Sequence, residues 1–174
     1  MGMSSSVWAQ AELVKDINPT GSSLPIQLTN VNGTLFFRAN DGTNGIELWT
    51  SDGTTGGTQL LTKFNSFGSY PYELTNVNGT LYFAAFDATF DKELWKSDGT
   101  PGGTQRVANI NPSVSSSPEE LTNVNGTLYF IANGQQLWKS DGTAGGTQLV
   151  ANNNLGGIIN PSLLTNVNGT LYFS

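Results

Sequence analysis

The stretch Leu74-Thr75-Asn76-Val77-Asn78-Gly79-Thr80-Leu81-Tyr82-Phe83-Ala84-Ala85 decides the fold. Asn78-Gly79 predicts a two-residue type I′ hairpin turn, because both turn positions need positive φ and Asn and Gly tolerate it best. The turn joins two strands, Leu74 to Val77 and Thr80 to Ala85. Side chains alternate along a strand, so Leu81 and Phe83 face one side and Tyr82 the other. Apolar residues on both sides mean that both faces are buried. An open meander or a barrel would leave one face polar.

Working outward, the same hairpin recurs. Leu-Thr-Asn-Val-Asn-Gly-Thr-Leu starts at Leu28, Leu74, Leu121 and Leu164. A second string, Leu-Trp-x-Ser-Asp-Gly-Thr-x-Gly-Gly-Thr-Gln, starts at Leu48, Leu94 and Leu137. Each repeat therefore reads as four short strands. Two come from the hairpin, a third runs as in Glu93 to Ser97, and a fourth follows the glycine-rich loop, as in Thr147 to Val150. No helical period appears. Four-stranded sheets covered on both faces and repeating every ~40–50 residues describe the blades of a β-propeller. The expectation is all-β, with four blade-equivalents in one array over residues 7–174. Residues 1–6 read as an unstructured start. Gly2 followed by Ser6 matches a myristoylation pattern, for which a frayed terminus is the simpler reading.

The ends of the array look complementary. Residues 164–174 hold strands one and two of a fourth repeat. Residues 7–19 read as a second half: Val7-Trp8 as a shortened third strand, and Glu12 to Pro19 as a fourth strand with its connector, aligned with Arg106 to Pro112. Val7 to Ile17 is therefore expected to pair with Leu164 to Phe173 and remove an exposed edge. Pairing within one chain gives a four-bladed monomer, the slightly favoured form because it needs no partner. Pairing between chains gives an eight-bladed homodimer.

Glu47-Leu48-Trp49-Thr50-Ser51-Asp52-Gly53-Thr54 and Glu93-Leu94-Trp95-Lys96-Ser97-Asp98-Gly99-Thr100 resemble the ELWxxDGT repeat of bacterial proteins. The third copy departs, with Gln136 in place of Glu. The resemblance covers nearly the whole chain. It implies a propeller-like fold and an extracellular or cell-surface bacterial parent, and it says little about activity. No signal peptide is visible in the chain. The near-identity of the copies points to recent amplification or to design from one blade.

Composition narrows the chemistry. The 174 residues include no Cys and no His. That removes disulfides, thiolate nucleophiles, the commonest general base and the commonest transition-metal ligand. A net charge of −6 argues against a nucleic-acid binder, which needs a basic patch. No apolar run is long enough to span a membrane. The carboxylates are scattered singly, and Glu119-Glu120 would point to opposite faces if extended. No cofactor or catalytic residue is expected.

Candidate sites follow from the repeats. Asp52, Asp98 and Asp141 are read as self-satisfied Asx turns, with a calcium loop as the alternative metal site. Trp49, Trp95 and Trp138 read as inter-blade core rather than sugar platforms. Asn32, Asn78, Asn125 and Asn168 open glycosylation sequons that the turns already explain. The variation lies on the other face of the ring, in the strand 2–3 loops and the connectors. There Asp41, Phe67, Tyr70, Phe86, Asp87 and Phe90 are the candidate ligand-binding residues, because loops on a rigid scaffold carry recognition. The expected function is a non-catalytic scaffold or binding module for a protein or glycan. A multivalent carbohydrate-binding lectin is the alternative, and a carboxylate hydrolase ranks last.

Overall fold

The computed structural model describes residues 11–64, 67–150 and 161–174. Three four-stranded antiparallel sheets follow one another, each ordered as in the chain. The first holds β1 (Ile26–Val31), β2 (Thr34–Asn40), β3 (Ile46–Ser51) and β4 (Gln59–Leu60). The second holds β5 (Tyr72–Val77), β6 (Thr80–Phe86), β7 (Lys92–Ser97) and β8 (Gln105–Ala108). The third holds β9 (Glu119–Val124), β10 (Thr127–Ala132), β11 (Gln136–Ser140) and β12 (Gln148–Leu149). A two-stranded sheet, β13 (Thr165–Val167) with β14 (Thr170–Tyr172), completes the set. There is no helix among the described residues.

The turns form for the reason the sequence gives. Asn78 and Gly79 have φ of 50° and 83°, and the three sister turns match them. Phe37, Phe83 and Phe130 sit opposite Trp49, Trp95 and Trp138 in the same register of each sheet. The first strands begin two residues earlier than the pattern suggests, and each carries an irregularity just after its start. Gln27, Glu73 and Glu120 take φ of 57°, 59° and 54° there. Glu120 is thus not in the extended register that would oppose it to Glu119.

Packing between sheets supplies the core. Phe36 and Leu48 of the first sheet meet Leu81, Phe83 and Trp95 of the second. Tyr82 and Leu94 of the second meet Leu128, Phe130 and Trp138 of the third. Each repeat thus sends one face of its second strand backward and the other forward, as the two-sided apolar pattern requires. Fully burying a Phe or Leu side chain is worth about 1.5–3 kcal/mol. A glycine makes the approach close. A Cβ on Gly142 would lie 2.1 Å from the Tyr82 hydroxyl oxygen, and one on Gly99 would lie 3.3 Å from the Phe36 ring.

The first strands of successive sheets lie side by side, β1 by β5, β5 by β9, and β9 by β13. Thr29, Thr75 and Thr122 each donate a hydroxyl to the carbonyl of Leu74, Leu121 and Leu164. The carboxylates of Glu73 and Glu120 reach forward to accept the Leu121 and Leu164 amides, at 3.2 and 2.7 Å. One sheet-to-sheet step is therefore repeated three times.

The expected pairing of Val7 to Ile17 with Leu164 to Phe173 is not made by the described residues. Val7 to Gln10, with the expected third strand Val7-Trp8, lie outside them. Residues 11–17 form no strand and lie against the first sheet instead. Lys15 Nζ donates to the Thr58 carbonyl at 2.7 Å, and Ile17 packs beside Phe37 and Trp49.

Candidate functional site

The connectors and the β2–β3 type loops share one face of the array. Asn40 and Phe86, the last residues of β2 and β6, and Asn133, just after β10, donate backbone N–H groups to the carbonyls of Ser23, Ser69 and Ser116, at 2.8, 2.8 and 2.7 Å. Each connector is thus stitched to the loop of the sheet it leads into. The six residues singled out for ligand binding sit in or beside these segments.

The structure brings two of them into ring contact. Phe67 comes from the connector and Phe90 from the β6–β7 loop, with centroids 6.0 Å apart and planes inclined at 48°. Phe67 is 67% exposed and Phe90 53%. Tyr70 is exposed three residues further on and is anchored by its N–H to the Ile46 carbonyl at 3.0 Å. The Asp41 loop also reaches this spot. A Cβ on Gly45 would lie 2.3 Å from the Phe67 carbonyl oxygen, so only glycine allows that loop to rest against the connector.

The other three take different parts. Phe86 is half-buried, with the Lys92 ammonium 5.5 Å from its ring and 4.7 Å from that of Tyr72. Asp41 accepts the Thr43 and Asn44 amides at 2.8 and 2.7 Å. Burial pushes its carboxyl up, and these hydrogen bonds outweigh it to leave the group below its ordinary value. Asp87 behaves alike, with burial opposed by the Thr89 hydroxyl and amide, the Asp91 amide and Arg106, and the net direction is down. Asp87 fixes the loop from which Phe90 projects, and Asp41 fixes the loop that rests against the Phe67 connector.

Asp52, Asp98 and Asp141 each accept the hydroxyl and amide of the Thr two residues on, at 2.7 and 2.9 Å. Those bonds hold their carboxyls below the usual range. Among the described residues, no three His, Cys, Asp or Glu side chains gather as a metal site would require. Beside two of these loops lie open polar grooves of one design, about 170 Å³ and 240 Å³. Thr80, Lys96, Asp98 and Gln105 line one, and Thr127, Lys139, Asp141 and Gln148 the other.

Sequence reasoning missed a buried pair of carboxyls. Glu47 and Glu93 are fully enclosed. The Ser69 and Thr62 hydroxyls donate to Glu47, and Ser116 donates its hydroxyl and amide to Glu93. Burial pushes both carboxyls up, and the hydrogen bonds only partly offset it. Their place is structural, tying the third strand of each of the first two sheets to the following connector. The signal was present in the Gln136 replacement, which keeps shape and removes charge.

No family model matches the chain, and no curated protein matches it. A similar solved structure is the crystal structure of the computationally designed Ika8 protein. It is 20% identical, with a TM-score of 0.43, and the match covers 71% of this chain and 34% of that one.

Proposed function

We propose that the chain is an arc of a β-propeller acting as a non-catalytic binding module, with recognition on the connector face. The observation that carries this is the Phe67–Phe90 contact. Two large apolar rings from separate segments meet in the open, Phe90 on a loop whose Thr89 amide is held by Asp87 and Phe67 beside a loop whose Asn44 amide is held by Asp41. Exposed aromatic pairs on a rigid frame are a common basis for partner binding, since each ring offers a large contact area at low entropy cost. The lack of histidine and cysteine, and the enclosure of Glu47 and Glu93, support a module without an acid–base pair. The repeat resemblance supports an extracellular bacterial setting.

The test is selection from a displayed-peptide library against the intact chain, repeated with Phe67→Ser/Phe90→Ser. Selected ligands should bind the parent and lose at least tenfold in affinity for the double variant. Ligands indifferent to both substitutions would place recognition elsewhere.

A second reading, a multivalent carbohydrate binder, draws on the twin polar grooves. Their recurrence with the same Thr, Lys, Asp and Gln suits a repeated hydroxyl-rich ligand. A glycan array that reports binding lost in Gln105→Ala/Gln148→Ala would favour it over the aromatic face.

A further inference from the structure

We propose that a second copy of this chain docks head-to-tail on the first, its fourth-repeat hairpin against the partner's first sheet, so that two copies close one ring. The proposal rests on contacts that recur at every internal step and lack a partner at both ends. A Cβ on Gly79, Gly126 or Gly169 would meet the side chain of Asn32, Asn78 or Asn125 of the repeat before, whereas one on Gly33 meets no atom of the described residues. Asn168 is the fourth such asparagine, and among the described residues no glycine turn lies against it.

The aromatic contact behaves in the same way. Phe36 and Tyr82 pack on Gly99 and Gly142 of the following sheet, while no atom of the described residues lies within 4 Å of a Cβ on Gly53. The matching residue of the fourth repeat, Tyr172, is 57% exposed. The Asn76, Asn123 and Asn166 amides each donate to the carbonyl of Asn30, Asn76 and Asn123 one repeat back. Asn30 alone makes no such bond among the described residues. The two ends thus carry the two halves of one interface that the molecule already builds three times.

Two further observations fit the junction. Residues 11–19 already hold the place of an outer strand in a sheet preceding the first. Ile17 packs on Phe37 and Trp49 as Ile110 packs beside Phe130 and Trp138. Asn18 accepts the Thr20 amide as Asn111 accepts that of Ser113. The inner strands that this outer strand lacks are those that β13 and β14 supply. Leu163 also stands where the other repeats have Gln27, Glu73 and Glu120, and it is 72% exposed. Across the junction it faces Leu28 of the copy, itself 62% exposed, so an apolar contact replaces a hydrogen bond. Among the described residues nothing satisfies these groups within the chain, since none of their atoms lies within 4 Å of a Cβ on Gly33 or Gly53. A heterologous interface of this kind closes only if the rotation returns to its start, and in the proposed pair that closure falls to two identical junctions between two copies.

The experiment is light scattering of the full chain over a concentration series, beside Leu28→Arg and Tyr172→Arg. Both positions are exposed in the single chain, so folding is retained, and circular dichroism checks it. The parent should plateau at twice 18.5 kDa, each variant should run as a single chain, and an equimolar mixture of the two should recover pairs through their one intact junction. Phe67→Ser/Phe90→Ser should leave the mass unchanged, which separates this proposal from the binding reading. A single-chain mass for the parent at every concentration, a mass that climbs without a plateau, or a pair indifferent to both arginines would each overturn it.

Discussion

The Thr75 hydroxyl donates to the Leu121 carbonyl at 3.1 Å, from the first strand of one sheet to the first strand of the next. Thr29 and Thr122 make the same bond one step earlier and one step later. Near-identical sequence thus becomes near-identical geometry at the level of single hydrogen bonds. The Asn76 side chain does the same work twice over. Its amide donates to the Asn30 carbonyl at 3.1 Å, and its oxygen accepts the Gly79 amide at 3.0 Å. Asn76→Ala should cost about 1–3 kcal/mol, from two hydrogen bonds worth roughly 0.5–1.5 kcal/mol each. Urea denaturation measures it, and a change under about 0.3 kcal/mol would remove the bonds from the account.

The Trp95 ring packs against the core and connector of the preceding sheet. Phe64 stacks on it at 4.1 Å, and its indole N–H donates to the Ala85 carbonyl at 3.2 Å. Trp95→Ala should destabilise by roughly 3–5 kcal/mol, the range for large aromatic truncations in a core. Thermal and urea unfolding read the loss, and stability equal to the parent's would contradict the sheet packing.

The buried carboxyls set a pH dependence of definite sign. Glu47 and Glu93 have folded-state pKa values raised above an ordinary value near 4.5. Below that value both states are protonated, and the folded chain keeps the full benefit. As pH rises from about 4.5 through the raised values, the unfolded chain ionises first and stability falls. Glu47→Gln/Glu93→Gln, copying Gln136, should flatten that fall and raise the melting temperature at neutral pH. A double variant less stable than the parent at pH 7 would show that both carboxyls serve as charged groups.

The Asp-Gly loops predict indifference to metal. The carboxyl oxygen of Asp98 is already engaged by the Thr100 amide and hydroxyl. EDTA should leave the melting temperature unchanged. Asp98→Asn, which keeps an acceptor, should disturb the fold less than Asp98→Ala. A calcium-dependent rise in melting temperature would instead make these loops metal sites.

What could be seen in the sequence divides along physical lines. The Asn-Gly turns and the two-sided alternation of Leu81, Tyr82 and Phe83 are local signals, and the sheets follow them. The positive φ of Glu73 and Glu120 is not local. Nothing about a glutamate announces a left-handed backbone, and these two adopt it while their carboxylates cap the next repeat's amide. The outer strands β4 and β12 are two residues long where β8 has four, although Leu61 and Val150 just beyond them still donate to the Leu48 and Leu137 carbonyls. Within the candidate site, Phe67, Tyr70 and Phe90 were legible as apolar residues in loops with no core to serve. The loop-fixing parts of Asp41 and Asp87 were not, because an acidic residue in a variable loop looks the same whether it faces a ligand or its own backbone.

The central claim is that the three four-stranded sheets bury one another's faces and so fold as one unit. Residue-resolved amide exchange tests it most directly, because protected amides report the free energy of the opening that exposes them. The amides of Phe36, Phe83 and Phe130, on β2, β6 and β10, should exchange with one common free energy equal to that of global unfolding. Three distinct values, with any one sheet opening several kcal/mol before the others, would contradict the claim.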